Sequence, residues 1–429
     1  LETLLRRAAL PVTLLICQAA AAADYARSDD HQFNLSLSFD VVEASSGFAA
    51  WPHGGLGKLR YDESDSLEAS RITIDYGGRI KPTLWARVIA DYVGDGSEGL
   101  DIAEAFITWR PVPKSASRHQ LRAGAMYPPF SYENTAAGWT SPYSISFSAI
   151  NTWLGEEIRP VGIEWSMSRK IGGMTSPHQL NVFASAFWGN DPAATLLFWR
   201  GWSIHDRQTR LGDRLTIPPI LARDADGTYL VDQTVAPFVE TDSQPGFYAG
   251  IEWQFASRIR AQFGGYDNRG DPWSFSDQQW GWNTRFWSAS LQAELPRQVG
   301  LIAQWMSGDT GWISGALQDN TIAGSGNLVV DHFDSAFVLL TRQFGMRHRA
   351  SLRYETFAIR RPDSGFIPQP DDGDALTLSY RFTPGERFKA SFEWLEINSE
   401  RDLWDRLYSV PRSATERLFR VQMTLDLSL

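Results

Sequence analysis

The sequence holds a single cysteine, Cys17, in 429 residues, so no disulfide within the chain can hold it together. Beyond the N-terminal segment no stretch reaches the roughly 18 consecutive apolar residues of a membrane-spanning helix, which excludes a helical membrane protein. Catalytic signatures are also missing. The stretch AGSG places Ala323 two positions before Ser325 where a nucleophile elbow needs glycine. GGLGKL lacks the leading glycine of a phosphate-binding loop and carries Leu59 where a hydroxyl is required. The seven histidines are scattered with no zinc-ligand spacing, and DADG at Asp224–Gly227, with Asp232 beyond it, reads as a solvated turn rather than a calcium loop. No metal or other cofactor is expected. Acidic residues outnumber basic ones for a net charge of −10, and nucleic acid is not an expected partner.

What the chain does have is aromatic rings and glycine: 18 Trp, 13 Tyr and 24 Phe beside 35 Gly, a balance that suits many strands joined by tight turns. Its first residues follow another pattern. Arg6 and Arg7 precede an apolar run from Ala8 to Cys17 and a small-residue stretch ending near Ala23, the order of a secretory signal peptide cleaved before Asp24. Residues 1–23 are therefore read as a signal peptide and 24–429 as the exported protein. Bulky Ile16 before Cys17 argues against lipidation there.

The C-terminal stretch FRVQMTLDLSL alternates strictly, with Phe419, Val421, Met423, Leu425, Leu427 and Leu429 in one phase and polar residues in the other. Fifteen earlier segments repeat the pattern, giving sixteen strands: 33–41, 69–76, 83–93, 101–110, 119–126, 159–168, 178–188, 246–256, 258–267, 283–295, 298–307, 333–344, 347–359, 374–382, 387–397 and the last. In the segment 333–344 the run Phe337, Val338, Leu339, Leu340 blurs the phase. Most segments run about 9 to 11 residues, the length of a tilted membrane-crossing strand and longer than the usual five or six of a soluble sandwich. Connections alternate long and short, and the short ones all fall on one side. The expected fold is an all-β, transmembrane, up-and-down antiparallel β-barrel of about 16 strands in a Gram-negative outer membrane.

The apolar phase carries Tyr76, Tyr92, Trp109, Trp165, Trp188, Trp253, Trp287, Trp305, Tyr354, Tyr380, Trp394 and Phe419, mostly near strand ends, as interfacial girdles require. The inward phase holds ten bases, Arg71, Arg87, Arg122, Arg258, Arg260, Arg349, Arg353, Arg381, Lys389 and Arg420. It also holds nine acids, Asp75, Asp91, Glu104, Glu164, Glu252, Glu294, Glu355, Glu393 and Asp426. A barrel of this size is too wide for wall side chains to fill, so a wetted channel with nearly balanced charge and weak ion preference is expected.

The segment EAFITWRPVPKSASRHQLRAGAMYPPFSYEN, Glu104–Asn134, resembles the region of phosphate-selective (porin O/P-type) porins in which a strand is followed by a Pro-Pro-Phe loop entry. The resemblance implies a bacterial outer-membrane porin, a sixteen-stranded homotrimer whose third long loop folds inward to narrow the pore. Residues 127–158 would take that role, with Arg122 at the foot and Tyr127, Phe130, Tyr132, Glu133, Glu156 and Glu157 at the constriction. The loop has no Lys or Arg between Arg122 and Arg159, so it offers a phosphate no cation. Residues 189–245 are read as a long extracellular loop. The expected partners are small hydrophilic solutes, outer-membrane lipid and lipopolysaccharide, and the assembly machinery, which would read the C-terminal strand although it ends in Leu429 rather than Phe. Passive diffusion is the expected function. The alternatives are a secreted, Trp-rich carbohydrate-binding β protein, and an outer-membrane hydrolase on a barrel scaffold using a pair such as Ser203 and His205.

Overall fold

The computed structural model describes residues 30–61, 68–94, 99–218, 234–313, 328–360, 371–401 and 411–428. The proposed signal peptide and the DADG turn lie outside the described residues. Sixteen strands form one closed barrel, each antiparallel to its neighbours. In chain order they are β1 His31–Ser45, β2 Glu68–Lys81, β3 Leu84–Val93, β4 Asp101–Trp109, β5 Ser117–Ala125, β6 Val161–Lys170, β7 His178–Trp188 and β8 Gly246–Phe255. Then follow β9 Ile259–Asp267, β10 Asn283–Leu295, β11 Val299–Ile313, β12 Leu328–Phe344, β13 His348–Arg360, β14 Asp371–Phe382, β15 Phe388–Arg401 and β16 Ser413–Ser428. The seam closes where β16 pairs with β1, from Asn34 opposite Ser428 to Ser45 opposite Arg417. A closed barrel leaves no strand edge, so every strand finds partners on both sides.

The two faces separate as the alternation requires. Trp109, Trp165, Trp188, Trp253, Trp287, Trp305, Tyr354, Tyr380 and Phe419 all project from the outer face, each 38% to 58% exposed. The blurred run on β12 resolves the same way: Val338 and Leu340 face outward, while Phe337 and Leu339 are buried inside. This apolar, aromatic-banded exterior is a surface for lipid rather than water.

Inside, the wall charges meet across neighbouring strands. Arg71 pairs with Asp91 at 2.7 Å, Arg87 with Asp75 at 2.9 Å, Arg122 with Glu164 at 2.8 Å and Arg260 with Glu252 at 2.7 Å. Arg122 and Glu164 are register partners, and the other three pairs are diagonal, two residues off, which still brings long side chains on the same face within reach. Arg258, expected on the wall, lies instead in the tight turn between Phe255 and Ile259, where its backbone N–H closes the turn on Phe255 and its side chain is exposed.

Candidate functional site: a lumen filled from within

The expected open interior is occupied by the chain's own connections. Residues 126–160, together with parts of the segments 46–61 and 189–217, are almost entirely buried within the barrel. Their polar groups must therefore be satisfied by one another and by the wall.

The first inward connection begins at Tyr127, whose backbone N–H donates to Glu104 on β4. Phe130 then inserts among Phe183, Tyr248 and Phe286, with edge contacts at ring distances of 6.0, 6.0 and 5.6 Å. Tyr132 donates to Glu252 at 2.6 Å. Helix α1, Ala149–Glu157, is buried along its whole length, and its free N-terminal N–H groups need acceptors. Three carboxylates satisfy that end of the segment. Glu133 accepts from Ser148 N and Oγ, Glu355 accepts from Ala149 N, and Glu393 accepts from Ile145 N and Ser146 N. Negative charge here also suits the helix dipole. Arg353 on β13 binds this group, reaching Glu133 at 2.6 Å and Glu355 at 2.8 Å. Trp153 on the helix packs against Phe286 and Phe333, at ring distances of 5.4 and 5.1 Å.

At its other end α1 carries Glu156 and Glu157, placed against the dipole and rescued from outside the helix. Glu156 accepts from Arg200 at 2.5 Å and meets His205 Nε2 at 2.9 Å. Burial would raise the Glu156 carboxyl, but Arg200 and His205 outweigh it and hold the group at about 2. Burial lowers the His205 ring despite Glu156 beside it, which favours the neutral form. Glu157 accepts from Trp153 Nε1 and from the backbone N–H groups of Leu196 and Leu197, at the start of helix α2, Thr195–Arg200. Burial pushes Glu157 up to about 7.

Past α2, Gly201 takes a φ of 84°, and a Cβ there would lie 1.9 Å from Asp371 Oδ2. This close approach lets Asp371 accept from Trp202 N and pair with Lys58 at 2.9 Å. Asp206 pairs with Arg60 at 3.0 Å and with Arg420 at 2.6 Å, and Arg420 also holds Asp40. These pairs tie the inward segments to β14 through Asp371 and to the β16–β1 seam through Arg420 and Asp40.

The constriction residues named from sequence are thus brought together, but as a packed and paired cluster. Glu133, Glu156 and Glu157 have no exposed surface, and Tyr127 stacks on Trp139 at 4.4 Å. Arg122 binds Glu164 at the foot of the loop as an ion pair across β5 and β6. The bases absent from 127–158 come from the stretch RGWSIHDRQTR, residues 200–210, and from Lys58 and Arg60. The density of Arg, His and Asp in that stretch is the sequence signal for them. Ser203 and His205 form no nucleophile–base pair: Ser203 Oγ accepts from Arg200, while His205 contacts Glu156 through Nε2 and accepts from Arg207 N through Nδ1.

A cavity of about 190 Å³ lies between the inward segment 136–147 and the wall from β14 through β16 and β1 to β2. Eight serine and threonine side chains line it, Ser36, Thr73, Ser391 and Thr424 among those on the wall, together with Arg71, Arg381, Lys389, Asp206 and Asp426. Elsewhere in the described residues Asp191, Glu240 and Asp242 bring their carboxylates within 4.8 Å of one another, and Asp191 accepts from Thr241 N and Oγ1.

No protein-family model and no curated protein matches the chain. Among solved structures, the outer membrane channel DcaP of Acinetobacter baumannii aligns with 93% of this chain and 96% of its own, at TM-score 0.50 and 12% identity. The anion-selective porin from Comamonas acidovorans covers 92% of this chain and 99% of its own at 10% identity and TM-score 0.49. The trimer form of OmpT, an outer membrane protein of Vibrio cholerae, covers 93% and 100% at 9% identity and TM-score 0.49. At such identities the likeness is one of fold. Fold and lipid-facing exterior together are those of a Gram-negative outer-membrane β-barrel.

Proposed function

We propose that this barrel is an outer-membrane channel through which small hydrophilic solutes diffuse passively, with the route narrowed to the side of the lumen by the inward segments. The observation that carries this reading is the polar cavity between residues 136–147 and the β14–β2 wall. A barrel folded only for structure would gain by filling that space with apolar side chains, as it does against β9 to β13.

In this reading Arg122, Tyr127, Phe130, Tyr132, Glu133, Glu156 and Glu157 set the width of the constriction by fixing the loop, and solutes meet the opposite wall. The likeness of Glu104–Asn134 to phosphate-selective porins belongs to the same proposal. So do a signal peptide at 1–23, a homotrimeric assembly surrounded by lipid and lipopolysaccharide, and recognition of the last strand by the assembly machinery. Nothing in the site favours hydrolysis.

Planar-bilayer recording of the purified, detergent-extracted protein tests the proposal. Discrete conductance steps are expected, together with faster migration of unheated protein on gels. A protein that is soluble without detergent, or that stays in the outer membrane yet neither conducts nor lets solutes into liposomes, would sink it.

A further inference from the structure

Most inward bases on this barrel have a carboxylate partner, and two that do not stand side by side. Arg71, Arg87, Arg122, Arg260, Arg353, Lys389 and Arg420 each have a carboxylate partner. Arg381 does not. Its Nη1 donates to Pro142 O at 2.8 Å, its Nη2 to Ser141 O at 3.3 Å and its Nε to Ser391 Oγ at 3.1 Å, all neutral oxygens. Arg349 stands opposite it in register on β13, donates to Gln343 Oε1 and lies over the Tyr143 ring. Among the described residues neither guanidinium is within ion-pair distance of a carboxylate. Two adjacent guanidinium groups therefore have no direct ion pair, Arg381 lining the polar cavity and Arg349 beside it, with Glu393 and Asp426 acting on Arg381 only from beyond ion-pair distance.

The cavity matches that charge with hydroxyls. Arg381 and Lys389 line it, the latter tied to Asp426, which also accepts from Ser36 Oγ. Its remaining charges, Arg71 and Asp206, are each neutralised by partners. A volume of about 190 Å³ exceeds the ~150 Å³ of a cavity that admits benzene, so a solute of one small ring or an equivalent open chain fits. Within a low-dielectric wall, an unmatched guanidinium pair concentrates anions. Serine and threonine hydroxyls both donate and accept, and so replace the hydration of a polyol.

We infer that the cavity beneath residues 136–147 is a binding station for small, hydroxyl-rich carboxylates, with Arg381 and Arg349 holding the carboxylate. This inference rests on the channel reading for its role in transport, and it replaces the weak ion preference expected from the balanced wall charge. The balance holds overall, and at this place two bases stand without a direct ion pair. A solute carrying an acid group and several hydroxyls satisfies both features of the site, whereas a neutral sugar leaves the two cations unmatched.

Gluconate is the probe, applied to the full-length protein in detergent by calorimetry and in planar bilayers by block of chloride current. The wild type is expected to bind gluconate in preference to glucose and to prefer chloride over potassium in a salt gradient. Arg381→Gln and Arg349→Gln should each lower the chloride-to-potassium permeability ratio by roughly threefold and weaken gluconate binding. Because Arg381 also holds the loop carbonyls, Arg381→Lys is the control: it keeps the charge and should keep the anion preference. A conducting wild type with no anion preference, or one whose ratio and gluconate binding survive both glutamine variants, overturns the inference and leaves the channel standing. If the barrel does not conduct, the channel reading fails, and calorimetry still decides the site: binding lost in Arg381→Gln upholds it, and no binding in the wild type removes it.

Discussion

Arg353 Nη1 lies 2.6 Å from Glu133 Oε1, and this contact joins the barrel wall to the segment that fills it. The same guanidinium donates to Glu355 and to the carbonyls of Ser146 and Phe147, so one wall side chain holds the inward loop at several points. All three charged groups are buried. Removing the arginine leaves two buried carboxylates without their cation, a loss of about 3–5 kcal/mol for a broken buried pair. Arg353→Ala is expected to release the segment, giving larger and noisier single-channel conductance and a lower temperature of barrel unfolding on gels. Unchanged conductance with unchanged heat resistance would mean that the loop is held elsewhere.

Gly201 permits a second anchor. At φ 84° and ψ −173° an L-residue is strained by about 1–3 kcal/mol, and a methyl group would also displace Asp371 from Lys58 and Trp202. Gly201→Ala is therefore expected to loosen the segment after α2 without disturbing strand pairing. Limited proteolysis of intact cells or proteoliposomes provides the check: new cleavage should appear near residues 200–213 in the variant and be absent in the wild type.

A third expectation concerns pH. Glu157 is held at about 7 against an ordinary glutamate value near 4.5, chiefly by burial. An acid whose folded pKa is raised binds its proton more tightly when folded. Its contribution is therefore fully present below about 4.5 and is lost as pH rises through about 7. His205 works in the opposite direction, because its lowered pKa makes the fold less stable as pH falls below the unfolded value. The difference between wild type and Glu157→Gln isolates Glu157. The variant should lose stability less than the wild type between pH 5 and pH 8, by up to about 3 kcal/mol, read as urea midpoints in detergent. Parallel curves would show that Glu157 does not titrate in this window.

Much of the fold was legible because the two faces of a membrane strand meet opposite solvents. All sixteen strands were present in the alternation, and β7 and β10 were bounded to the residue. The filled lumen was less legible, since strand period reports which face a residue takes but not what lies against it. A trace of it was nevertheless in the inward phase. Ile302, Met306, Phe333, Phe337, Leu339 and Phe357 face inward, where a wetted wall has no use for them, and all are buried in the core under the inward segments. The blurred phase of 333–344 was this signal. By contrast Ser36, Ser38, Thr73, Ser391 and Thr424 keep the inward phase polar where the cavity remains. The pairing of Glu156 with Arg200 could not be seen from sequence, because partners 44 residues apart are joined only by the return of both segments into the barrel.

That division between faces supplies the last prediction. Val338 is 48% exposed on the outer face of β12, with its register partners on β11 and β13 also facing lipid. An arginine there must reach an interface through hydrocarbon, at a cost of about 2–4 kcal/mol near the bilayer midplane. Thr424 on β16 lines the polar cavity, where an arginine keeps its hydration. Val338→Arg should therefore lower the yield of heat-resistant barrel in membranes. Thr424→Arg should assemble normally, reduce conductance by filling part of the route, and strengthen anion preference. If Thr424→Arg fails to assemble while Val338→Arg is tolerated, the faces are inverted and the route described for solutes is on the wrong side of the wall. If both assemble and conduct like the wild type, the cavity beside Thr424 is not on the conduction path.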